Sequence, residues 1–378
     1  MKLVVITIDY PDSRRNVFPF VKALVEALAD RGNECAVIAP YSVSHNKRFY
    51  KYISKEKTAG NNYVTVIRPS YVSFSKFKIG NVRITDRLHA LAVRRGLRKV
   101  PFKPDAIYGH FWPSAFEGYD YSKRHNIPLF VATGESVISD TFSFNKAVEP
   151  FCNSVKGVIC VSSKNKEESL KMGLTTADKC VVIPNAVDTT TFRLLDRAEC
   201  RRKLNISQDA FLVSFVGWFN NRKGVLRVSD AIKKTKDSAI YSIFIGSGDL
   251  DPDCDGIVFK GAVAHEDIPI YLNASDVFVL PTLQEGCCNA IVEALSCGLP
   301  VISSDRSFNW DILDESNALL VDPENVEQIS LAIERLHTDE KMRKQLAEGA
   351  LKKAEMLSMR NRAERIESFI KNKILGDV

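Results

Sequence analysis

Residues 280–305, LPTLQEGCCNAIVEALSCGLPVISSD, hold two glutamates eight positions apart, Glu285 and Glu293. Glu285 falls in a loop after an apolar strand pattern. Glu293 falls one turn into a helix pattern, CNAIVEALSC, that ends at Gly298, and Asn289 shares its face. A carboxylate accepts hydrogen bonds from both hydroxyls of a vicinal diol, as on ribose. Glu293 therefore suits a ribose and Glu285 a second polyol. The macrodipole also favours an acidic residue near a helix start, and spacing alone leaves both readings open.

Other candidates follow apolar runs in the same way, which matters because ligands of open α/β sheets sit outside the carboxyl ends of the strands. In VGWFNNRKGVLRVSDAI a strand pattern ends at Gly217, and Arg222, Lys223 and Gly224 precede a helix pattern. Two cations beside free backbone N–H groups make an anion site, although Lys-Gly loops are also common on plain surfaces. His110 ends the strand DAIYGH close to Trp112, and Thr133, Gly134, Glu135 and Ser136 follow LFVAT. His110 is a candidate polar-site residue. Arg14 and Arg15 follow the first strand, either meeting an acceptor anion or lying in solvent. No G-x-G-x-x-G occurs there, which argues against a nicotinamide site.

The elements that must position these residues alternate strand and helix. KLVVITI, CAVIAP, YVTVIRP, DAIYGH, PLFVAT, GVICVS and CVVIP form one array, and FLVSFVG, YSIFIGSG, GIVFKG, DVFVLP and PVISSD a second. Short β-branched apolar runs are what parallel strands buried on both faces require. Two arrays in 378 residues imply two doubly wound α/β domains. The boundary falls within the polar stretch 186–208. We expect domains over 1–190 and 191–358, with a helix over 359–378 packing back on the first.

Composition narrows the class. No apolar run reaches the ~18 residues of a membrane span, and the charged residues after the first strand speak against a signal peptide. Nine scattered cysteines form no C-x-x-C or His-Cys cluster, so we expect no metal centre and a reducing, cytoplasmic compartment. Net charge is +6, but residues 1–104 carry 20 Lys and Arg against 7 Asp and Glu. A basic first quarter suggests an anionic partner.

Together these residues resemble a retaining glycosyltransferase of family 4, with the GT-B fold of two Rossmann-like domains facing across a cleft. The E-x7-E spacing of Glu285 and Glu293 is the most specific feature. VFKGAVAHEDIPIYLNASDVFVLP (258–281) and CVVIPNAVDTTTF (180–192) are also similar, with Ala186 where the family has Gly. The resemblance implies sugar transfer from a UDP- or GDP-linked donor, with the anomeric configuration retained and no metal or other cofactor. It implies that Glu293 binds the donor ribose and Glu285 the transferred sugar. Backbone N–H groups of Gly286, Cys287, Cys288 and Asn289 would face the sugar and phosphates, with Gly217 alongside, and Lys223 would neutralise the leaving diphosphate. The acceptor would lie near His110, Trp112, Glu135, Arg14 and Arg15.

Three departures stand out. Trp218 replaces the family's Arg after Gly217, leaving Arg222 as the substitute. Glu135 stands where the family's Thr-x-His-Gly places its His, which alters donor-sugar contacts. The first loop loses its Gly and gains Arg14 and Arg15, which suggests an acceptor phosphate.

Residues 68–104 interleave Tyr71, Phe74, Phe77 and Phe102 with basic residues, and a helix pattern over 83–99 sets Leu88, Leu91, Ala92 and Leu97 beside Arg87, Arg94, Arg95, Arg98 and Lys99. Such a helix either lies on an anionic membrane or packs on the core with a solvated basic face. With a saccharide or polyprenyl-diphosphate-linked acceptor, the first reading makes the enzyme peripheral at the cytoplasmic leaflet. The alternatives are a nucleotide-sugar 2-epimerase or hydrolase of the same fold, a catalytically dead family member, and a non-catalytic binder of anionic polymers. The acidic remainder of the chain and the lack of a nucleic-acid motif oppose the last.

Overall fold

The computed structural model describes residues 1–12, 17–44, 50–74, 78–79 and 82–376. The chain forms two compact units, Met1–Ile183 together with Met359–Val378, and Pro184–Ser358.

The first unit is built on an eight-stranded sheet. Its strands are β1 (Lys2–Ile6), β2 (Glu34–Ile38), β3 (Ile53–Lys57), β4 (Tyr63–Ile67), β5 (Ala106–His110), β6 (Leu129–Thr133), β7 (Val155–Cys160) and β8 (Cys180–Val182), in the spatial order β8-β7-β6-β5-β1-β2-β4-β3. All neighbours are parallel except β3, which pairs antiparallel with β4. Both faces are covered. Leu3 and Val5 of β1 enter one core cluster and Val4 and Ile6 the other, because successive side chains of a strand point to opposite faces. That is why the parallel strands read as unbroken apolar runs. Edge strand β3, ISKEK, has no such run: its residues are exposed or half-buried, and its charges blunt the open edge.

Helix α1 (Pro19–Asp30) buries Val21, Leu24, Val25, Leu28 and Ala29, the stripe set by its 3.6-residue period. The chain leaves it through Gly32 at φ 85°. Helix α2 (Ile84–Leu97) buries Ala92, Val93, Gly96 and Leu97. Ala92 and Leu97 are therefore core residues, not part of a membrane face, and Leu91 remains 51% exposed. Helix α3 (Trp112–His125) follows β5.

The second unit carries six parallel strands: β9 (Phe211–Val216), β10 (Ile240–Ile245), β11 (Ile257–Gly261), β12 (Val277–Leu280), β13 (Val301–Ser304) and β14 (Ala318–Val321). Their order is β11-β10-β9-β12-β13-β14. Helix α4 (Val225–Thr235) follows β9, and α5 (Asn289–Ser296) follows β12. Because β9 and β12 are neighbours, the two loops entering α4 and α5 emerge side by side at the carboxyl ends of the strands.

The last helix, α6 (Met359–Leu375), belongs to the first unit. Ala363, Ile366 and Ile370 join the α1 side of that core. Arg31 meets Glu367 at 2.7 Å and Glu364 at 3.5 Å. Among the described residues, no helix is long and apolar enough to cross a membrane.

Candidate active site

In the second unit, β9 delivers Gly217 and the turn that carries Arg222, Lys223 and Gly224. Gly224 sits at φ 82°, and a Cβ there would lie 2.7 Å from the Pro281 carbonyl oxygen. Only glycine lets the two loops approach this closely. The Leu283 N–H donates to the Arg222 carbonyl at 2.8 Å, and the Lys223 N–H is held by Asn220 Oδ1 at 2.9 Å.

Three donors converge on one oxygen, Glu285 Oε1. Lys223 Nζ lies at 2.6 Å, Arg222 Nη1 at 2.7 Å and Thr282 Oγ1 at 3.0 Å. Glu285 Oε2 has no hydrogen-bond partner among the described residues, so one oxygen is anchored and the other can accept. Lys223 and Glu285 are both nearly buried, with side-chain exposures of 11% and 10%. Burial opposes the charge of Lys223, but Cys288 and Glu285 beside it hold its pKa above the ordinary lysine value. Of these two neighbours Glu285 supplies the negative charge, because burial raises the Cys288 thiol. Lys223 Nζ is 3.6 Å from Cys288 Sγ, and its aliphatic stem packs over Gly217.

The turn into α5 is braced from a distant segment. Asn185 Nδ2 donates to the Cys287 carbonyl at 3.0 Å and to Asn289 Oδ1 at 2.8 Å. The N–H groups of Gly286, Cys288 and Asn289 make no hydrogen bond among the described residues, as expected at a helix start. Glu293, one turn on, is hydrogen-bonded to His265 Nε2 at 3.0 Å, and the His265 ring packs on Phe192. The Glu293 hydrogen bond raises the pKa of His265. A fixed cationic pair, free amides and two half-available carboxylates suit a polyol phosphate ester.

Two family models match the chain: "Glycosyltransferase Family 4" over residues 19–191 and "Glycosyl transferases group 1" over 196–353. The chain belongs to the family 4 glycosyltransferases. It is 26% identical over 362 residues to TuaC of Bacillus subtilis, a glycosyltransferase named for teichuronic acid biosynthesis, covering 92% of each chain. It is 31% identical over 201 residues to the UDP-Gal:alpha-D-GlcNAc-diphosphoundecaprenol alpha-1,3-galactosyltransferase of Escherichia coli, covering 49% of this chain and 52% of that one. Sucrose-phosphate synthase from Thermosynechococcus elongatus superposes with a TM-score of 0.78 at 18% identity over 99% of each chain. That likeness places the fold as GT-B.

In this glycosyltransferase, the first-unit candidates occupy different environments. His110 is 5% exposed, lies 5.5 Å from Phe20 and 4.5 Å from Phe111 between ring centroids, and has no hydrogen bond at either ring nitrogen among the described residues. Burial, reinforced by Arg362, lowers its pKa to about 3, so it is a neutral imidazole at physiological pH. Its two nitrogens suit hydroxyl contacts, not an anion.

Trp112 corrects the sequence expectation. Its ring is fully buried, stacked on Phe142 and edge-on to Phe151, so it is a core residue and not an acceptor platform. Its position just after a strand end concealed this, because it also starts α3 and its side chain turns into the core.

Glu135 is also committed within its own unit. Its carboxylate accepts from Thr133 Oγ1 at 2.7 Å, the Gly134 N–H at 2.9 Å and the Trp112 N–H at 3.3 Å. Burial raises its pKa against those three hydrogen bonds. These contacts make it a brace between the ends of β5 and β6 instead of a free sugar ligand. Arg14, Arg15 and Phe77 lie outside the described residues. Trp218, at the position of the family Arg, is 63% exposed.

Sequence reasoning missed Asn185, Thr282 and His265. Each lies inside a stretch that resembles the family, but a polar side chain in a loop carries no local mark of its distant partner. Among the described residues, no group of three or more His, Cys, Asp or Glu could hold a metal ion.

Proposed function

We propose that this glycosyltransferase moves a sugar from a UDP- or GDP-linked donor to a saccharide or lipid-linked glycan acceptor, with the anomeric configuration retained, in the synthesis of a polysaccharide or glycolipid. The convergence of Lys223, Arg222 and Thr282 on Glu285 carries this reading. In it, the donor diphosphate takes over Lys223 and Arg222 and meets the backbone amides of Gly286 to Asn289. Glu285 then accepts from hydroxyls of the transferred sugar, and Glu293 from the ribose diol. Departure of a diphosphate needs fixed positive charge and oriented N–H donors, which these groups supply without a metal. No side-chain nucleophile is assigned. The leaving phosphate oxygen takes the acceptor proton as the acceptor attacks from the same face.

The Escherichia coli relative is named for a UDP-linked donor and a diphosphoundecaprenol acceptor. That supports the same pairing of substrate classes here, and with it a peripheral position at the cytoplasmic leaflet through residues 68–104. The test begins with a thermal-shift panel of UDP, GDP and ADP, since a ligand of the folded state raises apparent stability by mass action. Transfer from the matching nucleotide sugar is then followed by NMR of the product anomeric proton, with and without EDTA. An inverted product would overturn the retaining assignment, and loss of activity in EDTA the metal-free one. Flotation with neutral and anionic liposomes tests the membrane contact, and equal recovery with both would remove its electrostatic part.

A further inference from the structure

Two adjoining cavities of the first unit are used by none of the groups above. One, of about 280 Å³, opens at the carboxyl ends of β1, β2 and β4 and is lined by Asp9, Tyr10, Tyr41, Tyr50, Arg68 and Tyr71. The other, of about 500 Å³, lies along α2 and is lined by Val43, Val72, Leu88 and Leu91 with Arg95 and Arg98. Tyr71 lines both cavities, and Ser42 of the first adjoins Val43 of the second in the chain. They form one trough.

Its polar end is built for a neutral ring. Arg68 is 6% exposed and held through Nη2, which donates to the Pro11 carbonyl at 3.0 Å and to Glu56 Oε1 at 3.3 Å. Its guanidinium packs over the rings of Tyr10 and Tyr50, while Nε and Nη1 have no hydrogen-bond partner among the described residues. Glu56 pairs with both Arg68 and Lys22, and Asp9 adds a second carboxylate, so the described groups leave no positive excess for an anion. Hydroxyls that both donate and accept suit this mixture, and tyrosine rings offer apolar faces to the C–H side of a pyranose.

The other end is cationic and apolar. Leu91, Val72 and Val43 are 51%, 45% and 36% exposed, a clustering that marks an interaction surface. The Arg98 guanidinium has no ion pair or hydrogen bond among the described residues, and Arg95 Nη2 donates to the Ser70 carbonyl at 2.5 Å. Arg94 is paired with Asp120, and Arg124 joins Arg94 and Arg98 around the next hollow. Guanidinium groups match phosphate oxygens bidentately.

We propose that this trough binds the acceptor as a glycan joined through a diphosphate to a hydrocarbon chain. The sugar sits in the tyrosine pocket, the diphosphate meets Arg95 and Arg98, and the first hydrocarbon units cover Leu88, Leu91, Val43 and Val72. This rests on the lipid-linked acceptor of the proposed function and says where each of its parts binds.

Calorimetric titration of the full chain with farnesyl-diphospho-N-acetylglucosamine, farnesyl diphosphate and inorganic pyrophosphate tests it. The prenyl-linked sugar binds at least tenfold more tightly than pyrophosphate. Leu91→Asp and Arg98→Glu, both at exposed positions, each weaken it about tenfold, and Tyr41→Ala reduces its affinity to that of farnesyl diphosphate, all with unchanged melting temperature. Equal binding of the prenyl-linked sugar and pyrophosphate, or unchanged affinity in all three variants, overturns the proposal. So does a result in which the variants lose anionic vesicles alone, which would make the face a membrane contact only. A nucleoside-diphosphate thermal shift without prenyl-sugar binding defeats the trough and leaves the donor reading intact. The reverse result defeats the donor reading and leaves the trough.

Discussion

Lys223 Nζ and Glu285 Oε1 lie 2.6 Å apart although 62 residues separate them in the chain. The protein therefore holds the Lys223 ammonium against the carboxylate that is proposed to bind the sugar. A donor that competes for Lys223 with its diphosphate frees Glu285 Oε1 at the same moment, so the two contacts are coupled.

Glu285→Gln keeps the size and one acceptor oxygen but removes the charge. We expect transfer to fall by about 100-fold or more, the scale of losing one preorganised electrostatic contact. Nucleoside diphosphate binding should be unchanged or tighter, because Lys223 is no longer neutralised. Steady-state kinetics beside a UDP or GDP titration reads both, and unchanged turnover would show that Glu285 does not contact the sugar.

The His265–Glu293 pair makes donor binding depend on pH. The His265 pKa is raised, first by its hydrogen bond to the Glu293 carboxylate. The stabilisation from the pair is therefore complete below the unfolded histidine value of about 6.5 and is lost as pH rises through the folded value. As protonated His265 gives up its proton, its hold on Glu293 loosens and the ribose diol gains an acceptor. Nucleoside diphosphate affinity should rise through this window in the wild type, and the rise should be smaller in His265→Gln, whose side chain does not titrate. Parallel pH profiles of the two proteins would dismiss the competition.

Asn185→Ala removes both hydrogen bonds that brace the Cys287–Asn289 turn. A loss of about 1–3 kcal/mol in stability is expected, together with a higher KM for the donor. Denaturant melts and donor titrations measure the two effects, and Asn185→Asp, which keeps the size but cannot donate to the carbonyl, should resemble the alanine variant.

Gly224→Ala forces a Cβ toward the Pro281 carbonyl at a backbone angle that disfavours side chains. The destabilisation should exceed the ~1 kcal/mol typical of a Gly→Ala change of the opposite sign at a tolerant site. Separation of the two loops should also weaken the Lys223–Glu285 contact, so that activity falls more than the fraction of folded protein. A thermal melt and a specific-activity assay on the folded fraction distinguish the two.

Trp112→Ala separates a core role from an acceptor role. Its ring fills the space between Phe142 and Phe151, and truncation should cost about 3–5 kcal/mol. Trp112→Phe should recover most of that stability with an unaltered acceptor KM. A raised acceptor KM in a fully folded Trp112→Phe protein would return the residue to the site.

The two-array α/β architecture was legible in the sequence because a parallel strand buried on both faces is written as a continuous apolar run, and a loop is written where that run stops. Reading the loops that follow such runs therefore led to Lys223, Glu285 and His110 without any knowledge of their partners. Edge strand β3 escaped because it has a single neighbour and its ISKEK pattern carries no burial signal. Helix α2 was legible only as an amphipathic stripe that suited a membrane or the core equally, and packing against the sheet took Ala92 and Leu97 into the core. Trp112 and Glu135 also lie just after strand ends, yet the ring of one faces inward and the carboxylate of the other is consumed by its neighbours. The meeting of Lys223 with Glu285, and of Asn185 with Asn289, follows from which strands and segments become neighbours. That order is set by the packing of whole helices and strands against one another, and no local periodicity records it.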